Sequence, residues 1–297
     1  ALRIAPADID NLGWYASLSE RLGRLPESIS AFESAAELNP DSPGFALNTA
    51  RLMIQNGEGD TARMWLDKVI QNPAMTASDY QVAAYSYLRL QDAMSGYTCL
   101  EKAVEGRENP TPEMVLEFSA LARSLFGDEK ALQVLSKGIE AISATRQLLT
   151  YQADICHSLK QDQKALDLLQ MAKKLGKFAD SDESNKKSSN TLMTTSWMES
   201  LSSEKGINAR IASMFFNQGN LAAGLDVLEG MLESEPGDLA IRTKAIEAAF
   251  NLLDYSKVEK LLIKEPIIVQ KIQPDDQPDV EDYLALLAEI ALHLNDV

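Results

Sequence analysis

The stretch LGWYASLSERLGRLPESISAFESAAELNP, residues 12–40, decides the fold. It reads as two short helices and a turn. Gly23, within Leu22-Gly23-Arg24-Leu25, supplies the left-handed backbone that ends the first helix. Leu38-Asn39-Pro40 ends the second, because proline cannot continue a helix. Small side chains at Ala16, Ser28 and Ala35 mark where the helices cross closely, since a bulky residue there would force the axes apart.

The same marks recur outward from this stretch. Ala16, Ala50, Ala84, Ser119 and Ala153 follow one another at about 34 residues, and the spacing resumes from Ala212 to Ile246. A second series runs in step with it at Ser28, Ala62, Gly96, Ala131, Ala165, Gly224 and Val258. A third lies at Ala35, Val69, Ala103, Gly138 and Ala172. Turns fall between the first two series at Asn56-Gly57-Glu58-Gly59-Asp60, Phe126-Gly127-Asp128 and Gln218-Gly219-Asn220. Stops follow the second helices at Asn72-Pro73, Asn109-Pro110 and Glu235-Pro236-Gly237-Asp238. Registered series of this kind mean stacked hairpins.

On Leu12, Tyr15, Ala16, Gly23, Ser28, Phe32, Ala35 and Pro40 the first unit resembles the tetratricopeptide repeat (TPR) family. The other copies are degenerate, but a period near 34 separates them from two-helix repeats of roughly 40 to 47 residues. The expected fold is all-α: a right-handed superhelical solenoid of seven to eight helix-turn-helix hairpins.

Three regions are expected. An N-terminal array occupies residues 1–175 and begins inside a repeat, where Ala1 to Pro6 reads as the tail of a helix. Residues 176–204 interrupt the period by about 25 residues. There a Ser-, Asp-, Lys- and Asn-rich loop, Gly176 to Asn190, precedes Met193, Trp197, Met198 and Leu201, whose spacing predicts an added helix. A second array, 205–297, contains a Pro/Asp-rich stretch from Pro266 to Pro278 and a last helix over 283–294, ending inside a repeat.

Composition narrows the function. A net charge of −16 disfavours phosphate backbones and anionic lipid, so neither nucleic acid nor membrane insertion is expected. No apolar run of membrane-spanning length occurs, and the expectation is a soluble fragment, cytoplasmic or periplasmic. Cys99 and Cys156 are too few for a disulfide framework. His157 beside Cys156 invites a nucleophile–base reading, but neighbours on a helix point about 100° apart. A core cysteine beside a surface histidine is the simpler expectation. No phosphate-binding glycine loop, H-E-x-x-H or G-x-S-x-G is present, and the acidic clusters lack the spacing of a calcium loop. No catalytic residue, metal or cofactor is expected.

The first helices of such hairpins line a concave groove. Their free face is read as Trp14, Arg21, Asn48, Arg51, Tyr85, Arg89, Arg123, Tyr151, Arg210 and Lys244. Arginine and aromatic side chains are the usual anchors of protein interfaces, so this face predicts a groove for a protein segment, one with acidic groups. The same residues also fit ordinary solvated helix faces. The resemblance implies a ligand-backbone role for Asn48, while Gly13 and Ser17 stand where chaperone-binding members place their carboxylate clamp. The function expected is a noncatalytic scaffold. The resemblance implies bacterial envelope assembly, secretion or exopolysaccharide export as settings; a regulatory or substrate-presenting arm of a larger enzyme is the alternative. Self-association through end hairpins is a further expectation.

Overall fold

A computed structural model of the chain describes residues 8–107, 110–175, 195–262, 282–288 and 290. Every regular element among them is a helix, and seven hairpins follow in chain order. They are α1 (Ile9–Arg21) with α2 (Leu25–Leu38), α3 (Pro43–Gln55) with α4 (Gly59–Val69), α5 (Ala77–Arg89) with α6 (Ala93–Glu105), and α7 (Pro112–Phe126) with α8 (Asp128–Ile142). Then come α9 (Arg146–Ser158) with α10 (Asp162–Lys174), α12 (Glu204–Asn217) with α13 (Leu221–Ser234), and α14 (Leu239–Asn251) with α15 (Tyr255–Leu261). Between the fifth and sixth pairs lies α11 (Thr195–Ser202), the added helix expected around Trp197. The last expected helix is described over 282–288. The loops expected at Gly176 to Asn190 and Pro266 to Pro278 lie outside the described residues.

Local chemistry sets the boundaries. Gly23, Gly57, Gly127 and Gly219 hold φ of 73°, 85°, 88° and 74° at the hairpin turns, where glycine carries no Cβ penalty. In the other three turns Gln91, Lys160 and Leu253 take the same conformation at φ 60°, 62° and 58°. Helix starts are capped by side chains, as at Thr76, whose hydroxyl and Asp79 satisfy each other's backbone amides in a capping box.

The small-residue series lie where the helices meet. Ala16, Ala50, Ala84, Ser119 and Ala153 are completely buried. Ser28 Oγ donates to the Ala16 carbonyl at 2.7 Å and Ser119 Oγ to that of Ala131 at 3.0 Å, so each buried hydroxyl also ties the two helices of its hairpin. A Cβ on Gly96 would stand 2.7 Å from Leu88, and one on Gly224 2.3 Å from Phe216.

The hairpins fall into two compact units, one ending at Ala144 and one beginning at Thr145. The first buries Leu52, Leu66, Tyr87, Leu100, Leu116 and Leu135, with Trp65 packed against its core as an inter-hairpin side chain. The second buries Leu148, Ile155, Leu169, Leu201, Ile207 and Leu225. Each core is assembled by stacking successive hairpins, the logic of a helical repeat.

Candidate functional site

In the first unit, the first helices α1, α3, α5 and α7 carry the residues singled out from the sequence. Trp14 is 79% exposed on α1, and Arg21 lies exposed at the end of that helix, just before the hairpin turn. Arg51 is committed to its neighbour: its guanidinium makes a bidentate pair with Glu20 of α1, both bonds 2.9 Å. Asn48 is committed too. Its Nδ2 donates to the Gly44 carbonyl at 2.9 Å and its Oδ1 accepts from Arg51 at 3.2 Å, so its amide serves its own helix and that arginine.

Tyr85 of α5 donates its phenol to the buried Glu117 of α7, and accepts from Gln81 at 3.2 Å. Burial first, and the Glu117 bond second, push that phenol well above the ordinary tyrosine range. Gln81 accepts in turn from Arg107 at 3.0 Å. Arg123 pairs with Asp128 at the start of α8. Arg89 is exposed and forms no ion pair with any described residue, which holds for Arg21 as well. The face thus presents fixed polar pairs, and Trp14, Arg21 and Arg89 stand out from them.

In the second unit the structure brings Tyr151 and Arg210 together around α11. Tyr151 is only 4% exposed, because the Trp197 ring stands edge-on to it at 5.3 Å and 79°. Arg210 Nε donates to both carboxylate oxygens of Asp154, at 2.8 and 3.1 Å, joining α12 to α9. Its Nη1 donates to the carbonyls of Ser200 and Gly206 at 3.0 and 3.1 Å. Arg146, which no sequence pattern singles out, is buried and donates to the carbonyls of Ala172, Ser202 and Lys173. It thereby closes the ends of α10 and α11, where unpaired carbonyls and the negative helix pole favour a cation. Lys244 is exposed, forms no ion pair with any described residue, and stands at the rim of a cleft of about 640 Å³ between α12 and α14.

The chemistry that the pair Cys156 and His157 would need is not assembled. Cys156 is completely buried and its thiol is held above its ordinary range by burial. His157 turns away to Asp162, Nδ1 to Oδ1 at 2.6 Å. Among the described residues no three His, Cys, Asp or Glu side chains gather as metal ligands, and no helix is long and apolar enough to cross a membrane.

No known family profile matches the chain, and no curated protein matches it. Solved structures do. The C-terminal part of a TPR repeat-containing protein from Cytophaga hutchinsonii is similar over 92% of this chain and 94% of that one, with a TM-score of 0.55 and 13% identity. A structure of Naa15/Naa10 bound to HypK-THB is similar over 94% of this chain and 39% of the matched chain, with a TM-score of 0.56 and 13% identity. The present chain therefore spans well under half of that second protein's matched chain. At such identity the likeness concerns fold: the chain is an all-α helical repeat of the tetratricopeptide type.

Proposed function

We propose that the chain is a noncatalytic scaffold that binds a segment of another protein on its first-helix face. One observation carries this reading. Helix α11 lies outside the repeat register, yet it packs on the first helices α9 and α12, with Leu201 completely buried and Trp197 against Tyr151. The first-helix face of this chain therefore already holds one helical segment in cis. Trp14, Arg21 and Arg89, which serve no internal ion pair, extend the same chemistry to the first unit, and the cations suit a partner with acidic groups. A setting in bacterial envelope assembly, secretion or exopolysaccharide export belongs to this reading through the family resemblance.

Affinity capture tests it, comparing the native chain with a Trp14→Ala, Arg21→Glu, Arg89→Glu variant. These side chains are exposed and outside the internal pairs, so the variant keeps its helical circular dichroism. The expected result is a protein retained by the native chain and lost by the variant. Identical retention by both refutes the role assigned to these three residues, and no retained protein at all refutes the scaffold reading.

A further inference from the structure

Helix α11 shows what a gap between neighbouring first helices accepts. Its start meets Tyr151 and its end meets Arg146, five residues earlier on α9, so it runs against the direction of that helix. It turns Trp197 and Leu201, four residues apart and hence on one face, toward the first helices. Its last carbonyls, which have no partner within the helix, accept from cations: Ser200 from Arg210 and Ser202 from Arg146, each at 3.0 Å. The occupant is a short amphipathic helix, anchored by an aromatic residue and a leucine and held by cations at its C-terminal end.

The next gap along the same unit repeats the cation positions. Arg146 stands seven residues before the small position Ala153, and Lys205 stands seven before Ala212. Arg210 stands two before Ala212, and Lys244 two before Ile246. Lys205 and Lys244 both line the open cleft between α12 and α14, and Ala212, Phe216, Leu228 and Ile241 give it an apolar floor. Its volume of about 640 Å³ lies within the range of roughly 300–1,000 Å³ typical of ligand sites. Lys205 already bridges Glu235 and Asp238, whereas Lys244 has no ionic partner among the described residues.

We propose that the α12–α14 cleft docks a short amphipathic helix of a partner protein, bearing an aromatic residue and a leucine four apart and directing its C-terminal carbonyls to Lys244. The proposal rests on the scaffold reading above and names the partner's chemistry for one part of that face. Helix α11 of a second copy does not fit as the occupant, because in each chain Leu201 is buried and the terminal carbonyls are held by Arg146 and Arg210.

The test is fluorescence anisotropy of a labelled peptide spanning residues 193–204, titrated with the full chain. Saturable binding is expected, with loss when the peptide carries Trp197→Ala and Leu201→Ala. In the protein, Lys244→Glu weakens binding about fivefold or more, since it replaces a favourable helix-pole contact by a repulsive one. Ala209→Trp, a substitution at an exposed cleft-lining position, abolishes binding by filling the space. Three outcomes of the titration overturn the proposal: no binding of the native chain up to about 1 mM, a very weak affinity for such an anchor; binding unchanged in both protein variants; or binding sensitive to Tyr151→Ala and not to them, which means exchange with α11. Sedimentation that shows a dimer dissolved by Lys244→Glu overturns it in favour of a second copy. If the native chain retains a protein in affinity capture while the peptide fails, the scaffold reading stands and this proposal falls.

Discussion

Replacing Gly138 by alanine measures how closely α7 and α8 cross. A Cβ there would stand 2.3 Å from Val115 Cγ1 and 3.0 Å from Cγ2, whereas ordinary contact begins near 3.4 Å. Val115 is almost fully buried, and beside it lies a cleft of about 440 Å³ that Gly138 also lines. Either it or the α8 backbone must move by about 1 Å, and overpacking of this kind costs about 1–3 kcal/mol. Alanine recovers about 1 kcal/mol through its helix propensity. The net expectation is a loss of about 1 kcal/mol. Val115→Ala alone leaves a cavity and costs about 2 kcal/mol, but in the double variant the methyl group introduced at position 138 occupies the space that Val115 vacates. The two losses then fail to add, by about 1–2 kcal/mol in the double variant's favour. Urea unfolding followed by far-UV circular dichroism gives the three stabilities. Hydrogen exchange of the α7 and α8 amides shows that the change is local, as is needed when two units can unfold separately. A Gly138→Ala chain as stable as the native one refutes the close crossing, and with it the reason given for small residues in that series.

Three further outcomes are expected. Leu253→Gly raises the stability of the second unit in urea by about 0.5–1 kcal/mol, because an exposed leucine held at φ 58° gives way to a residue without the Cβ penalty; a lower urea midpoint contradicts the turn geometry. Arg146→Ala costs about 2–3 kcal/mol, since buried carbonyls at the ends of α10 and α11 lose a charged donor, and protease sensitivity around α11 rises; unchanged sensitivity refutes the clamp. At Asp238 burial opposes ionisation, yet the Ile241 amide and the Lys205 ammonium hold the carboxyl below its ordinary value; at Asp92 burial is outweighed in the same way by the Ser95 amide and Arg63. A depressed folded pKa contributes stability that is complete above the unfolded value near 3.9 and fades as pH falls below it. Asp92→Asn and Asp238→Asn should therefore flatten the stability profile below about pH 4, and profiles parallel to the native one at acid pH refute the assignment.

The hairpins were legible because close helix crossing imposes a volume limit that the sequence must obey at one register position after another. Ala16, Ala50, Ala84, Ser119 and Ala153 are all completely buried, so a single physical demand fixed both period and packing. The polar face was harder to read. Arg51 and Arg89 look alike in sequence, yet Arg51 reaches Glu20 on the preceding first helix and Arg89 forms no ion pair among the described residues. That difference depends on side-chain reach across a hairpin boundary, which spacing alone does not encode. The spacing of Met193, Trp197, Met198 and Leu201 predicts a helix but not what Trp197 packs on. Its edge-on contact with Tyr151 of α9 needs a fold-back whose length and direction no period records.

The pairs that do form between hairpins obey a rule of their own. Among the described residues of each unit, such ion pairs join side chains 28 to 33 residues apart, as in Arg51 with Glu20, Arg63 with Asp92, Lys137 with Glu105, Lys205 with Asp238 and Lys257 with Glu229; Arg210 with Asp154 spans 56 because α11 intervenes. Each therefore links one hairpin to the next and none skips a neighbour, as a one-dimensional array of repeats requires. Partly exposed pairs of this kind contribute little individually, so coupling between hairpins rests on the buried apolar residues, and the pairs chiefly fix where charges point. A cation already held by a carboxylate has less to offer a ligand than one that is not. Of the first-helix cations singled out from the sequence, Arg21, Arg89 and Lys244 form no ion pair among the described residues, and the proposed recognition falls to them. Added salt should weaken partner binding through them while the apolar cores, and hence the helical fold, are little affected.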